Sequence, residues 1–257
     1  TKEDVLQFKP PEREGVAEKT GRRVRETIPF SGMRKAMADR MMESWQANPR
    51  AENQMSVDVT DLVRVRETHR EQWESQYGVL PSVTDMIIDE SARALREFPM
   101  LNSSLRGDRI EVYEDINISV AVALEKGLIT PVVRRVDTRD IFDIARETLR
   151  LVDLVRQGRH TADTIADSTF TVTNLGMFDV DVFVPIINPP ESAILAVGKI
   201  EKKPVIIQDA IAIRSMMTLC LAYNHRVVDG AMAARFLQAI KKVLTQPLSL
   251  CPEESVR

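Results

Sequence analysis

Apolar positions along the chain follow two different periods, and their alternation divides it into elements. Met33, Met37, Met41 and Trp45 recur every fourth residue behind Ser31, a residue type that caps helix N-termini, and Pro49 ends the run. "QMSVDVT" (54–60) alternates and predicts a strand. A charged amphipathic helix is predicted over about 61–76, closed by Gly78. Ser82 and Asp85 have capping-box spacing and open a helix that ends before Pro99. Short strands fill 103–133: a hairpin turns at Gly107-Asp108, and "INISVAVAL" and "LITPVV" flank Gly127. A long helix is predicted from Asp140 to Gln157, with Gly158 past its end. Then come strand "TFTVTN" (169–174), a loop to Glu191, strand "SAILAVGKI" (192–200), a hairpin about Gln208-Asp209, the long strand "IAIRSMMTLCLAY" (211–223), and a last helix at about 229–244 before Pro247. Helices and strands alternate, yet several strands are joined by hairpins. The fold class is therefore α/β with a mixed β-sheet flanked by helices. No internal repeat is present.

Before Ile28 the pattern stops. Residues 9–26 hold ten charges in eighteen positions, with two prolines and two glycines. Such a segment buries too little apolar area to offset its ordering entropy and is expected to be a linker or arm. "TKEDVLQF" (1–8) reads as the end of another element, so this chain is expected to be a piece of something longer. The expected division is 1–8, a domain remnant; 9–27, a charged arm; and 28–257, one globular domain.

The composition, 44% apolar and 28% charged, is that of a water-soluble globular chain. A net charge of −3 supplies no general attraction to nucleic acid or to an anionic membrane. No apolar run is long enough to span a bilayer, and the N-terminus lacks the apolar core of a signal peptide. Two cysteines cannot build a disulfide framework, which suits a reducing compartment. With three scattered histidines and no Cys-x-x-Cys, no metal site is expected.

The chemistry concentrates in "YNHRVVDGAMAARF" (223–236). His225 follows the end of a buried-looking strand and, with an ordinary pKa near neutrality, can act as a general base. Asp229 can cap the helix that follows, and Gly230 allows close approach there. The bland alternative is a packed histidine and a plain cap. Elsewhere the bland readings lead. Cys220 is a buried structural thiol, His69 and His160 are solvated, and the methionine stripe is core rather than a ligand set.

Four motifs shift the balance. "IPFSGMRKAMADRM" (28–41), "FTVTNLGMF" (170–178), "IINPPESAILAVGKI" (186–200) and "NHRVVDG" (224–230), taken together, resemble the catalytic core of the dihydrolipoamide acyltransferases. These are the central components of 2-oxo acid and acetoin dehydrogenase complexes, and the resemblance covers about 28–250. It implies a chloramphenicol-acetyltransferase-like fold, trimeric, and acyl transfer between a dihydrolipoyl thiol and coenzyme A. His225 would be the base. Thr173, from a neighbouring subunit, would donate its hydroxyl to the oxyanion. Asp229 would pair with Arg34, while Asn174 and Gly230 support the site.

Coenzyme A is then a substrate. No Asp-Lys-Ala segment occurs, so a lipoyl domain outside this sequence would supply the lipoyl group. The implied partners are two further copies of the chain and the decarboxylase and dihydrolipoamide dehydrogenase subunits. The implied place is a bacterial cytoplasm or a mitochondrial matrix. "TKEDVLQF" resembles the end of the family's peripheral-subunit-binding domain. Two features depart from the family: Asn224 stands where many relatives have Asp, and "PLSLCPEESVR" (247–257) is polar where relatives are apolar between trimers. The second puts a cubic or dodecahedral shell in question. Arginines at 22–25 and 134–135 could meet coenzyme A phosphates or acidic partners, or simply face water. A freestanding O-acetyltransferase of the same fold and a non-catalytic scaffold are the competing functions. The acyl group, whether acetyl, succinyl or branched-chain, is left open.

Overall fold

The computed structural model describes residues 23–124 and 127–247. The expected remnant at 1–8, most of the arm and the polar tail after Pro247 lie outside these residues. The chain divides into one unit ending at Ser31 and a second beginning at Gly32.

The second unit is built on a seven-stranded mixed sheet. Its strands are β1 (Arg50–Asp58), β4 (Ile118–Val120), β7 (Val132–Val133), β8 (Phe170–Asn174), β9 (Ala193–Val197), β10 (Glu201–Ile207) and β11 (Ala210–Asn224). The order is β1-β11-β9-β8-β4-β7, and β10 pairs with β11. The β4–β8 and β8–β9 pairs are parallel and the rest antiparallel, as the mixture of hairpins and helical crossovers predicts. Two small hairpins lie apart, β2 (Ser103–Arg106) with β3 (Arg109–Val112), and β5 (Val122–Leu124) with β6 (Gly127–Ile129). Gly107 turns the first of them at φ +59, a conformation that favours glycine.

The helices are α1 (Gly32–Ala47), α2 (Thr60–Thr68), α3 (Arg70–Tyr77), α4 (Val83–Glu97), α5 (Ile141–Arg156) and α6 (Gly230–Thr245). Both halves of the Ser82–Asp85 capping box form at the start of α4, and Asp140 caps α5. Leu237, Ile240 and Leu244 of α6 are fully buried, and Phe236 packs edge-on against Phe98 and Phe170. Each such side chain contributes about 1.5–3 kcal/mol of burial. Among the described residues no helix is long and apolar enough to cross a membrane.

The structure departs from the sequence reading in three places. The predicted helix over 61–76 is broken at His69, whose Nδ1 lies 2.9 Å from the Val65 carbonyl. The ring of His69 stacks on the buried Trp73 at 5.3 Å, so it is half-buried rather than solvated. His160 is half-buried as well, and its enclosed Nδ1 has no hydrogen-bond partner among the described residues. The third departure is α1. Its stripe is expected in the core, but Met37 and Trp45 are exposed, and Trp45 carries the Arg50 guanidinium over its ring at 4.7 Å. Polar bonds hold α1 to the rest instead: Arg40 Nη2 donates to the Pro189 carbonyl and Ser44 Oγ to that of Ile187. Ser44 is buried on α1, whereas Arg40 is exposed and reaches the Pro189 carbonyl from the rim, so the side of α1 turned to the rest of the chain is polar.

Candidate active site

β11 is sandwiched between β1 and β9, and its last residues, Leu219–Asn224, are buried. The strand ends where Asn224 turns the chain, and His225 emerges exposed. The main-chain N–H of His225 donates to the Pro49 carbonyl at 2.9 Å, and the Tyr223 ring lies 5.8 Å from the imidazole. No hydrogen bond reaches either ring nitrogen among the described residues. Four residues on, Asp229 adopts the extended conformation of an N-cap and accepts from the Met232 N–H at 2.8 Å. This fixes the start of α6 and hence the far side of the turn that carries His225. Arg34 is exposed and, among the described residues, makes no ion pair with Asp229 within one chain. A Cβ on Gly230 would meet the Tyr223 hydroxyl at 3.5 Å, an ordinary contact, so close approach within the chain does not demand glycine there.

Thr173 stands half-buried at the other end of the sheet, near the end of β8. Asn174 organises the loop beyond it. Its Oδ1 accepts from the Gly176 N–H at 2.7 Å and its Nδ2 donates to Thr84 Oγ1 at 2.9 Å. A side chain on Gly176 would come within 2.9 Å of the Gly198 carbonyl oxygen, so the loop can lie this close only with glycine. Thr173 opens on a cavity of about 280 Å³ whose walls include Val120, Val122, Leu128, Val152, Leu175 and Phe178.

The register separates Thr173 from His225. Thr173 pairs with Ala196, and Ala196 with Cys220, five residues before His225. Strand geometry then sets the two about 17 Å apart along the sheet and about 10 Å across it, or roughly 20 Å in all. One chain cannot bring the hydroxyl and the imidazole to a common atom.

Three buried titratable groups are invisible in the sequence or legible there only as packing. Glu191 is enclosed, with Oε1 accepting from Ser168 and Asn188 and Oε2 from Thr171. Burial pushes its carboxyl up to about 7, against the pull of those bonds and of Arg40. It forms part of the wall of a larger cavity, about 720 Å³. Glu90 on α4 is also raised to about 7, by burial and by Asp89, with Arg93 opposing. Cys220 is buried and pushed to about 11, inert as the sequence predicts. The Arg134 guanidinium is occupied by Asp163 and Asp167. Among the described residues no group of histidine, cysteine or carboxylate side chains is arranged to hold a metal.

Residues 22–251 match the family described as 2-oxoacid dehydrogenases acyltransferase (catalytic domain). The chain belongs to this acyltransferase family. It is 41% identical over 218 residues to the lipoamide acyltransferase component of the branched-chain alpha-keto acid dehydrogenase complex of Bacillus subtilis, covering 84% of this chain and 51% of that protein. The acyltransferase fold is shared with the dihydrolipoamide acetyltransferase of Azotobacter vinelandii, at 32% identity and a TM-score of 0.83 over 88% of this chain and 93% of that one. The cubic core of the pyruvate dehydrogenase multienzyme complex matches with the same score, identity and coverage. The chain spans about half the length of the curated relatives it matches.

Proposed function

We propose that this chain is the catalytic core of a dihydrolipoyllysine-residue acyltransferase, moving an acyl group between a dihydrolipoyl thiol and coenzyme A within a 2-oxo acid or acetoin dehydrogenase complex. One observation carries the assignment of roles. Thr173 precedes His225 by 52 residues and Asp229 follows it by four. A serine, a histidine and an asparagine studied for their role in the catalytic mechanism of the Azotobacter vinelandii enzyme stand at the same two intervals. Serine and threonine offer the same hydroxyl, and Asp and Asn the same capping oxygen.

In this reading His225 takes the proton of the coenzyme A thiol as its sulfur attacks the thioester carbonyl. A sulfur–carbon bond forms and the carbonyl pair moves to oxygen. The Thr173 hydroxyl donates to that oxyanion. Collapse breaks the bond to the dihydrolipoyl sulfur, which leaves with the proton held by the imidazolium. The reverse transfer uses the same groups. The cavity beside Thr173 is mostly apolar and suits the acyl chain and the thiol arm.

Because roughly 20 Å separates the two groups on one chain, the site is formed between chains, with His225 from one and Thr173 from the next. A trimer is the assembly we assign, and the exposed Met37 and Trp45 of α1 and Ile206, Ile211 and Ile213 of the β10–β11 hairpin are surfaces for it. In an assembly Asp229 and Arg34 can also meet across chains. A larger cubic core, the decarboxylase and dihydrolipoamide dehydrogenase partners implied by the family, and a bacterial or mitochondrial setting belong to the same proposal. The boundary of the catalytic domain near Ile28 does too.

Mixed assembly tests it. His225→Ala and Thr173→Ala chains, each nearly inactive, are co-assembled in equal amounts and assayed for acyl transfer from acyl-CoA to free dihydrolipoamide. With a shared site, about a quarter of the sites regain both groups. Activity that stays at the level of the separate variants, with subunit exchange confirmed by mass spectrometry, excludes the shared site.

A further inference from the structure

Among the described residues no side chain of its own subunit hydrogen-bonds the ring of His225, which the Tyr223 ring only flanks at 5.8 Å, so its direction is set chiefly by the main chain of the turn. That turn is wired to the end of α1. His225 N–H donates to the Pro49 carbonyl and the Arg226 guanidinium to that of Ala47. Between them sits Asn224, only 2% exposed. Its main-chain N–H donates to the Ser192 carbonyl at 2.8 Å, and its own carbonyl accepts from Val227 and Val228 at 2.9 and 3.0 Å.

The side chain of Asn224 belongs to a relay whose polarity has one solution. The Ile187 carbonyl can only accept, so Ser44 Oγ donates to it, at 2.6 Å. Ser44 Oγ therefore accepts, and Asn48 Nδ2 donates to it at 3.2 Å. That turns Asn48 Oδ1 toward Asn224, whose Nδ2 donates to it at 2.8 Å. Asn224 Oδ1 is left facing forward, where it accepts from the Arg226 N–H at 3.1 Å and closes an Asx turn around His225. Each amide has one orientation that bonds both its ends, and the direction propagates from a fixed carbonyl to the residue beside the base.

We infer that Asn224, oriented by Asn48 and Ser44, is a positioning residue that aims His225 into the reaction. This rests on His225 being the base, as proposed above. Asn224 touches no reacting atom. It acts through the main chain of the turn, and Asn48 acts through Asn224. A base turned away from the thiol loses transition-state stabilisation while substrate binding is untouched.

The test is a double-variant cycle on the assembled enzyme, assayed with acyl-CoA and free dihydrolipoamide. Asn48 is half-buried at the edge of α1, so Asn48→Ala is the variant least exposed to misfolding. Asn48→Ala and Asn224→Ala are each expected to lower kcat by about tenfold or more with KM for acyl-CoA within about twofold. The double variant should be no worse than Asn224→Ala alone within about threefold, because both cut one path. Asn48→Asp, which still accepts from Asn224 Nδ2, should recover most of the loss. Multiplying losses, a change confined to KM, or wild-type kcat in Asn48→Ala overturns the inference. His225→Ala is run alongside. If it is inactive while Asn48→Ala is normal, the relay alone fails. If His225→Ala stays active, the base assignment fails and the relay with it.

Discussion

Replacing Glu191 with glutamine is expected to stabilise the protein, and by more at alkaline than at acid pH. The carboxyl rises from 4.5 to about 7 on folding because burial disfavours its charge. A rise of this size is worth about 3 kcal/mol, since each tenfold change in proton affinity is about 1.4 kcal/mol. The raised value fixes the sign. Below pH 4.5 the group is neutral in both folded and unfolded chains and its contribution is fully present. As pH rises through about 7 the folded chain must also ionise it, and the contribution is lost. Between pH 5 and pH 8 the wild type should thus lose about 2.5 kcal/mol through this residue. Glutamine does not titrate, yet it can accept from Ser168 and Asn188 and donate to Thr171, which can turn its hydroxyl toward Ser119. The assay is urea or thermal unfolding of both proteins across that pH range at one chain concentration, since assembly makes stability concentration-dependent. For a domain of this size the gap in Tm should widen by roughly 5–10 °C from pH 5 to pH 8. A gap independent of pH, or one that narrows as pH rises, refutes the account of Glu191 as a carboxyl buried against its charge.

Other outcomes follow from the same geometry. His225→Ala should lower kcat by about a hundredfold or more while circular dichroism and assembly stay normal, and near-normal turnover in the folded variant would remove the base. Thr173→Ala should forfeit about 2–4 kcal/mol of transition-state stabilisation, mostly in kcat, with Thr173→Ser mild; equal Ala and Ser variants would exclude the hydroxyl as donor. Gly198→Ala should fail to fold or lose at least about 1–3 kcal/mol, since its Cβ would collide with the Asp181 carbonyl, and an unchanged Tm would contradict that packing. Native Cys220 should resist alkylation at pH 8 and react only on unfolding, as a thiol raised to about 11 inside a sheet must.

Much of the fold is readable from the chain because local chemistry dictates it. The capping box at Ser82 and Asp85, the cap at Asp140, the glycine turn at Gly107 and the Asp229 start of α6 each depend on residues a few positions apart. The strand that delivers His225 is legible from its apolar run. What escapes such reading depends on distant partners. The inward face of α1 is polar because Arg40 and Ser44 meet carbonyls almost 150 positions away, and no periodicity records that. Glu191 looks like one more loop carboxylate until Ser168, Thr171 and Asn188 close around it. The family motifs name Thr173 and His225 as a pair, whereas only the strand register shows how far apart one chain holds them.

If the site is shared as proposed, that separation also leaves each chain latent. Under the proposed shared site, a newly made or dissociated copy carries His225 with no Thr173 near it and Thr173 with no His225. Unassembled chains would then lack a complete site for acyl transfer. Total activity should then fall on dilution more steeply than the amount of protein, and return on concentration, so that the catalyst is switched on by its own abundance.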